Sequence, residues 1–465
     1  MLPTGGGPAT TLDDLYRTLS PEPLTKPEEF RQYYRGQVND VRGEDKVKRL
    51  SLKLQQAYRA LPLKAFVMGH PGVGKSTELS RLLERVKDQH TGIRLSIANE
   101  LNPASFKVFD VLILMLARLA EESSALRAVP RPGALPERLV SDIQRWFGTE
   151  QVKTSHIETT GAGVEAGAGI KGDSLWAGLL GLFASAKAEM KYSAERKTEA
   201  TEYRMQRLPE LVDICNRLID ACSSALMERS AREWLLVIED LDKTGISPQQ
   251  LQELFIQYGT VFQDLRVNMI FTIPVWLGYS PDANRLPFTR YMIYDTPVYD
   301  RSHVPHEAGR AAVQAVLEAR VTPALFANGQ MTRLIVASGG NLRDLFSLVL
   351  DAGEGARARN QSARQIEPED AKTAINKMRR DYRLKLGQSP YDANPITYAQ
   401  KSERLIAVYK GTPDSDIPDP VLYSLLRGRA LQEFNGEGWC GVHPLVVDIL
   451  KEQKHLGQDD PGGTE

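Results

Sequence analysis

Gly69-His70-Pro71-Gly72-Val73-Gly74-Lys75-Ser76-Thr77 is the stretch whose reading decides the fold of this chain. It fits G-x-x-x-x-G-K-[ST] at every fixed position, and both flanks agree with it. Ahead of it, Ala65-Phe66-Val67-Met68 is a short apolar run that reads as a buried strand. Behind it, Leu79, Leu82, Leu83 and Val86 recur at helical spacing within Lys75 to Val86. A glycine loop between strand and helix turns successive N–H groups inward onto a phosphate, and the helix start adds partial positive charge. The whole run from Gly69 to Thr77 is therefore the candidate binding element for a nucleoside triphosphate. Lys75 is expected to reach the β- and γ-phosphates and Ser76 to ligate Mg²⁺.

A magnesium-bound triphosphate also needs carboxylates, and Trp234-Leu235-Leu236-Val237-Ile238-Glu239-Asp240-Leu241-Asp242 supplies them. An apolar strand here delivers acids to its C-terminal end, where open parallel sheets bind ligands. Glu239 is assigned to the metal and Asp240 to polarising the attacking water. For Asp242, a helix cap or salt bridge just past the strand is at least as good a reading as a part in the nucleotide chemistry.

Around these two elements the pattern alternates. Ile93 to Ile97 and Val267 to Ile273 read as strands, with another at Tyr291 to Tyr294. Ser105 to Leu119 and Pro248 to Phe262 read as helices. The alternation predicts a parallel sheet with helices on both faces. Thr272, at the tip of its strand, is either a sensor of the γ-phosphate or the cap of the next turn. Arg285 and Arg290 follow in a polar loop. Each is either a surface residue or a finger reaching a neighbouring subunit's nucleotide.

Bulk properties exclude several classes. In 465 residues, 58 Lys plus Arg nearly cancel 59 Asp plus Glu, so no global charge draws the chain to nucleic acid or membrane. Three cysteines, Cys215, Cys222 and Cys440, give neither a disulfide framework nor metal-ligand spacing. The first residues lack the basic start and apolar core of a signal peptide, and no apolar run approaches the ~20 residues of a membrane helix. The expected address is cytoplasmic.

The glycine loop, the acidic strand end and Ser338-Gly339-Gly340-Asn341-Leu342-Arg343-Asp344-Leu345 together resemble AAA+ and the related STAND signalling ATPases. The resemblance spans roughly Arg42 to Arg380 and implies ATP, Mg²⁺ and a helical lid after the sheet. It further implies that Arg343, near the start of a lid helix capped by Asn341, touches the γ-phosphate. The usual Asp-Glu or Asp-Asp pair reads Glu239-Asp240 here, which bears on hydrolysis more than on binding. In this light residues 1–40 form an N-terminal segment and 41–300 the ATPase core, with an insertion at about 125–230. A lid follows at 301–388, with helices expected at Glu307–Ala319, Met331–Ala337, Leu342–Leu350 and Glu367–Arg383.

About 110 residues separate the second strand's helix from the acidic strand, far beyond an ordinary connection. Within them Val152 to Thr159 and Val164 to Ile170 read as a hairpin. Leu175 to Phe183 is greasy but too short to cross a bilayer, and is expected to pack near Leu211, Ile214, Leu218 and Ile219. Glu195 to Arg207 reads as a solvated helix. At residues 389–456, helices at Lys401–Tyr409 and Asp419–Leu426, strands at Leu431–Phe434 and Trp439–His443, and a helix at Pro444–Gln453 resemble a winged helix. Trp439 and His443 read as packing residues. Pro395 to His455 carries seven Lys plus Arg against eight Asp plus Glu, little for a DNA reader. Nine basic residues against four acids gather instead between Arg357 and Lys385. They read as a solvated face or as a grip on phosphates or an acidic partner. Residues 457–465 read as a disordered tail. A homo-oligomer or protein partner is the favoured reading and DNA the second. A nucleotide-binding scaffold without turnover is the third.

Overall fold

The computed structural model describes residues 7–57, 61–131, 137–148, 172–192, 198–243, 245–392, 394–415, 417–434 and 439–464. Strands β1 (Lys64–Met68), β2 (His90–Ser96), β3 (Glu233–Glu239), β4 (Asn268–Ile273) and β5 (Thr289–Met292) form one sheet in the order β2-β3-β4-β1-β5. Every neighbouring pair is parallel. Both faces are covered, as the near-continuous apolar strands require. Ala65, Val67, Leu235, Val237 and Ile270 pack with Leu79, Leu82 and Val86 of the helix Lys75–Val86. The alternate residues Phe66, Met68, Leu236, Ile238, Met269 and Phe271 face the opposite core, which the helix Val108–Ala125 fills. Register aligns the strand ends that build the site: Val67 pairs with Thr272, and Ser96 with Glu239. Because β4 lies between β1 and β3, Thr272 stands between the glycine loop and the acids.

The insertion is helical where it is described. Gly172–Tyr192 and Leu208–Ser230 pack on Val108–Ala125, and Glu137–Gly148 and Thr198–Gln206 pack on Leu208–Ser230. The greasy run lies in Gly172–Tyr192, and it packs against Val108–Ala125 rather than against the Leu211 helix, which covers another side of the same element. Trp176 Nε1 donates to Ser124 Oγ at 2.7 Å, with Leu179 and Phe183 fully buried. The hairpin read at 152–170 lies outside the described residues. The helix expected over Pro248 to Phe262 is broken into Pro248–Gln252, a π-turn at Glu253–Gln257 and Gly259–Gln263.

Lid helices run at Glu307–Glu318, Gln330–Ala337, Leu342–Arg359 and Pro368–Lys385, the third a full nine residues longer than its apolar pattern suggested. After them come Tyr398–Tyr409, Pro420–Arg427, the antiparallel pair β6 (Leu431–Phe434) and β7 (Trp439–Val442), and Pro444–Glu452. His443 is buried, caps the last helix by accepting from the Leu445 amide at 3.2 Å, and stacks on Tyr382 with centroids 4.2 Å apart. Burial drives its imidazole down to about 3, so it stays neutral. The tail departs from its composition. Thr464 donates its amide to Asp448 at 3.0 Å, and Tyr409 and Tyr299 hydroxyls donate to the carbonyls of Pro461 and Gly463 at 2.7 and 2.6 Å. Those side chains supply the partners that glycine and proline cannot supply themselves. Among the described residues, no helix is long and apolar enough to cross a membrane.

Candidate nucleotide site

The loop after β1 has the backbone its glycines permit. Gly69, Gly72 and Gly74 hold φ of 152°, 90° and 102°. Gly72 is the tightest: a Cβ there would stand 2.6 Å from Arg343 Cβ and would also strike Asn341 Oδ1. Only glycine fits both the angle and the space. Lys75 opens the following helix, and its Nζ is held by the carbonyls of Gly69 and His70 at 2.8 and 3.0 Å. Asp242 completes the grip at 2.6 Å. Asp242 thus forms a salt bridge, and its partner is the lysine of the glycine loop.

Pro71, Gly72, Val73, Gly74, Lys75, Ser76 and Thr77 line a cavity together with Asp240, Asp242, Thr272 and Arg343. A glycine loop in this geometry, on a parallel sheet whose acids and Thr272 converge on it, decides the architecture. This is a P-loop NTPase fold.

No family model matches the chain, and no curated protein matches it. Among solved structures, it is similar to the Walker-type ATPase PABY2304 of Pyrococcus abyssi, at 12% identity, 93% of this chain, 99% of that chain and a TM-score of 0.40. It is similar also to Cdc6p from Pyrobaculum aerophilum, at 12% identity, 96% and 100% coverage and a TM-score of 0.37. A third is the Aeropyrum pernix Orc1 protein, solved in complex with DNA, at 12% identity, 88% and 92% coverage and a TM-score of 0.35. At these scores the likenesses add no argument, and the fold assignment stands on the loop, the sheet and the lid.

The acids divide between two environments. Asp240 follows β3 in the left-handed region, φ 70°, a conformation that costs about 1–3 kcal/mol unless its surroundings hold it. Thr272 Oγ1 accepts from its amide at 3.1 Å, Lys243 pairs with its carboxylate at 3.1 Å, and Ser96 Oγ donates to it. Glu239 is buried and does not line the cavity. Arg94 Nε donates to its Oε2 at 2.6 Å, while Oε1 is buried without a partner. A buried, unsatisfied carboxylate oxygen beside the Ser76 helix fits a water carried by Mg²⁺, so Ser76 and Glu239 suit that ion. The metal would neutralise charge developing on the phosphates.

The loop's remaining residues face other domains. His70 turns away from the cavity: Nδ1 lies 2.5 Å from Asp295 Oδ2, and Nε2 lies 3.1 Å from the Leu426 carbonyl of the winged domain. The Pro71 carbonyl accepts from Asn341 Nδ2 at 3.0 Å and from Arg429 Nη1 at 3.3 Å. Asn341 also caps the lid helix, its Oδ1 accepting from the Asp344 amide at 3.3 Å. Burial works to raise the Asp295 carboxyl, but His70, Arg42 and Arg429 hold it below its ordinary value. Asp344 is governed likewise by burial and, against it, by Arg429 2.8 Å away. Arg285 pairs with Asp282 at 3.2 Å and Arg290 donates to the Gly278 carbonyl at 3.3 Å; neither lines this cavity.

Motif reading missed the roof. Leu24 and Tyr34 of the N-terminal segment, Arg42 just after it, and Arg320 and Phe346 of the lid complete the lining of the cavity. The Leu24 amide donates to Thr77 Oγ1 at 3.2 Å, and the Tyr34 hydroxyl to Glu78 at 2.9 Å, which ties that segment down. Arg42 and Arg320 are 4% and 5% exposed. Arg42 Nη2 and Arg320 Nε are buried without partners, so both can donate to a polar ligand. Burial lowers the Arg320 guanidinium to about 10, still charged at neutral pH. No sequence pattern joins these residues; the lid's return over the sheet does.

Proposed function

We propose that the chain binds and hydrolyses ATP with Mg²⁺ as a switch of AAA+/STAND type, its nucleotide controlling closure of core, lid and winged domain. In this reading the closed and open forms differ in self-association or in engagement of a protein partner, as in defence or signalling modules. The observation that carries it is the seam at His70 and Pro71: lid and winged domain grip the Pro71 carbonyl and the His70 ring, so a phosphate settling on the loop acts on all three bodies at once. Arg343, at the start of the lid helix, lines the cavity beside Lys75 and supplies the lid's charge to a γ-phosphate. Asp240 lines the cavity and is the residue to polarise water, with Lys75 and Arg343 stabilising the transferred charge and Thr272 orienting Asp240. Lys75→Ala should lose Mg-ATP binding by about 100-fold or more in a fluorescent-nucleotide titration. Retained wild-type affinity would sink the switch. Mass photometry with ATP, ADP or neither, with and without DNA, then tests whether nucleotide changes assembly.

The loader reading, with duplex DNA as partner, has less in its support. Pro420–Arg427, the helix preceding the β6–β7 hairpin, packs on Val275–Tyr279 and exposes no side chain but Pro420. A scaffold without turnover draws on the ties that hold both acids. Phosphate release from wild type and Asp240→Asn separates it: equal background in both favours the scaffold.

A further inference from the structure

Arg94 ties the helix after the glycine loop to the acid at the end of β3. It lies on β2 opposite Val237, two positions before Ser96 meets Glu239, so its side chain runs along the sheet face toward the end of β3. Its Nε donates to Glu239 Oε2 at 2.6 Å, and Nη2 pairs with the same oxygen. Its Nη1 donates to Ser80 Oγ at 2.5 Å, and Nη2 lies 3.5 Å from the Ser76 carbonyl. One guanidinium thus joins β2, the P-loop helix and the acid at the tip of β3. It is not a surface ornament: the pair's side chains are 29% and 7% exposed.

We propose that Arg94 is a positioning residue that sets how the metal enters. It pins one oxygen of Glu239 and leaves Oε1 for the metal's water, while its fixed charge opposes a bare divalent ion. The protein then takes Mg²⁺ with the nucleotide, whose phosphates add the negative charge that overcomes Arg94, and not beforehand. A charge within hydrogen-bond distance of the ligand oxygen, in a half-buried place, acts on a dication with little screening. Arginine suits the task because its planar fork locks the carboxylate through two nitrogens. This rests on the cavity being a nucleotide site, but its test does not need turnover.

The test is Mn²⁺ binding to the full chain without nucleotide, read by electron paramagnetic resonance of the free ion. Wild type should show no saturable site at sub-millimolar Mn²⁺. Arg94→Gln should gain a site about tenfold tighter or better, Arg94→Lys should stay near wild type, and Arg94→Gln with Glu239→Gln should lose the gain. Tight Mn²⁺ binding by wild type overturns the proposal outright, as does an Arg94→Gln protein of normal circular dichroism that binds no better. Should Arg94→Gln not fold, Arg94→Met is read in the same way and the wild-type measurement still decides. A wild type that fails to bind fluorescent ATP analogues would sink the nucleotide reading while leaving these Mn²⁺ arms intact.

Discussion

The helical insertion and the P-loop seam are held by opposite means. In the insertion, Trp146, Trp176, Leu179, Phe183 and Leu218 bury apolar surface against Val108–Ala125, and apolar packing is the main tie, with a few polar ties such as Trp176 to Ser124 and Lys187 to Glu121 beside it. At the seam, where core, lid and winged domain meet, the contacts are hydrogen bonds and ion pairs among His70, Asp295, Arg42, Asn341, Asp344 and Arg429. Apolar packing is indifferent to an arriving anion. A buried polar network is not, because its energy depends on every charge nearby. The insertion is built to last and the seam to be acted upon.

Two substitutions of large effect separate these regions. Phe183→Ala should cost about 3–5 kcal/mol of stability through the cavity it leaves. Denaturant unfolding with and without Mg-ATP should give that same loss twice. Arg429→Ala should cost about 3–5 kcal/mol by leaving the buried Asp344 unpaired, and the loss should differ between the two conditions. An Arg429→Ala penalty blind to ATP would break the comparison, and so would an ATP-sensitive penalty at Phe183.

The seam should also respond to pH, in two opposed ways. Asp295 and Asp344 have depressed folded values, so their stability is present above the ordinary carboxylate range and is lost as pH falls through those lower values. Glu433 on β6 is the reverse: burial raises it to about 7 from 4.5. Its protonated form suits the fold, so its contribution is full below about 4.5 and fades as pH rises through about 7. Glu433→Gln should therefore stabilise by about 1–3 kcal/mol at pH 8 and do nearly nothing at pH 4.5. Thermal melts at both values check it; an equal shift at each would mean that Glu433 acts through shape.

Much of this was legible because the phosphate side is contiguous in sequence. Strand, glycines, lysine and helix sit within Lys64–Val86, and local rules suffice there. The acids at Glu239-Asp240, the lid's Asn341-Leu342-Arg343 and the β6–β7 hairpin were legible for the same reason: each is a short pattern with a mechanical meaning. The roof was not, since Tyr34 and Arg320 lie far apart in sequence and come to line one cavity only in the folded chain, where Arg320 donates to the Tyr33 carbonyl. Nor were the partners of polar side chains: Arg94, inside an ordinary strand pattern, gives no hint that it will hold Glu239. The ordered tail belongs with these, because Asp448 and Tyr409, not the glycines, decide its place.

A smaller effect is expected at Asp242. Its carboxylate holds Lys75 at 2.6 Å, within the cavity that takes the phosphates, and so competes with them. Asp242→Asn removes the competing charge and a repulsion. ATP affinity should tighten about fivefold, near 1 kcal/mol, in an equilibrium titration. Weakened binding would make Asp242 part of the metal's shell instead.

The smallest effect is expected in the lid's basic run, and its smallness is informative. Arg357 pairs with Asp13, Arg359 with Asp370, Lys377 with Asp351, and both Arg379 and Arg383 with Glu452 of the last helix. Of the run that by composition suggests a phosphate grip, three residues fasten the lid to its neighbours and two tie lid helices to each other. The Arg383–Glu452 pair is 52% and 40% exposed, and such pairs contribute about 0–1 kcal/mol. Arg383→Ala should move the melting point barely, and should leave DNA retention at low salt where wild type has it. If Arg379→Ala and Arg383→Ala together abolish a salt-steep affinity for duplex, the pairs are opened by DNA, and the lid belongs with the seam as a surface that a ligand can rearrange.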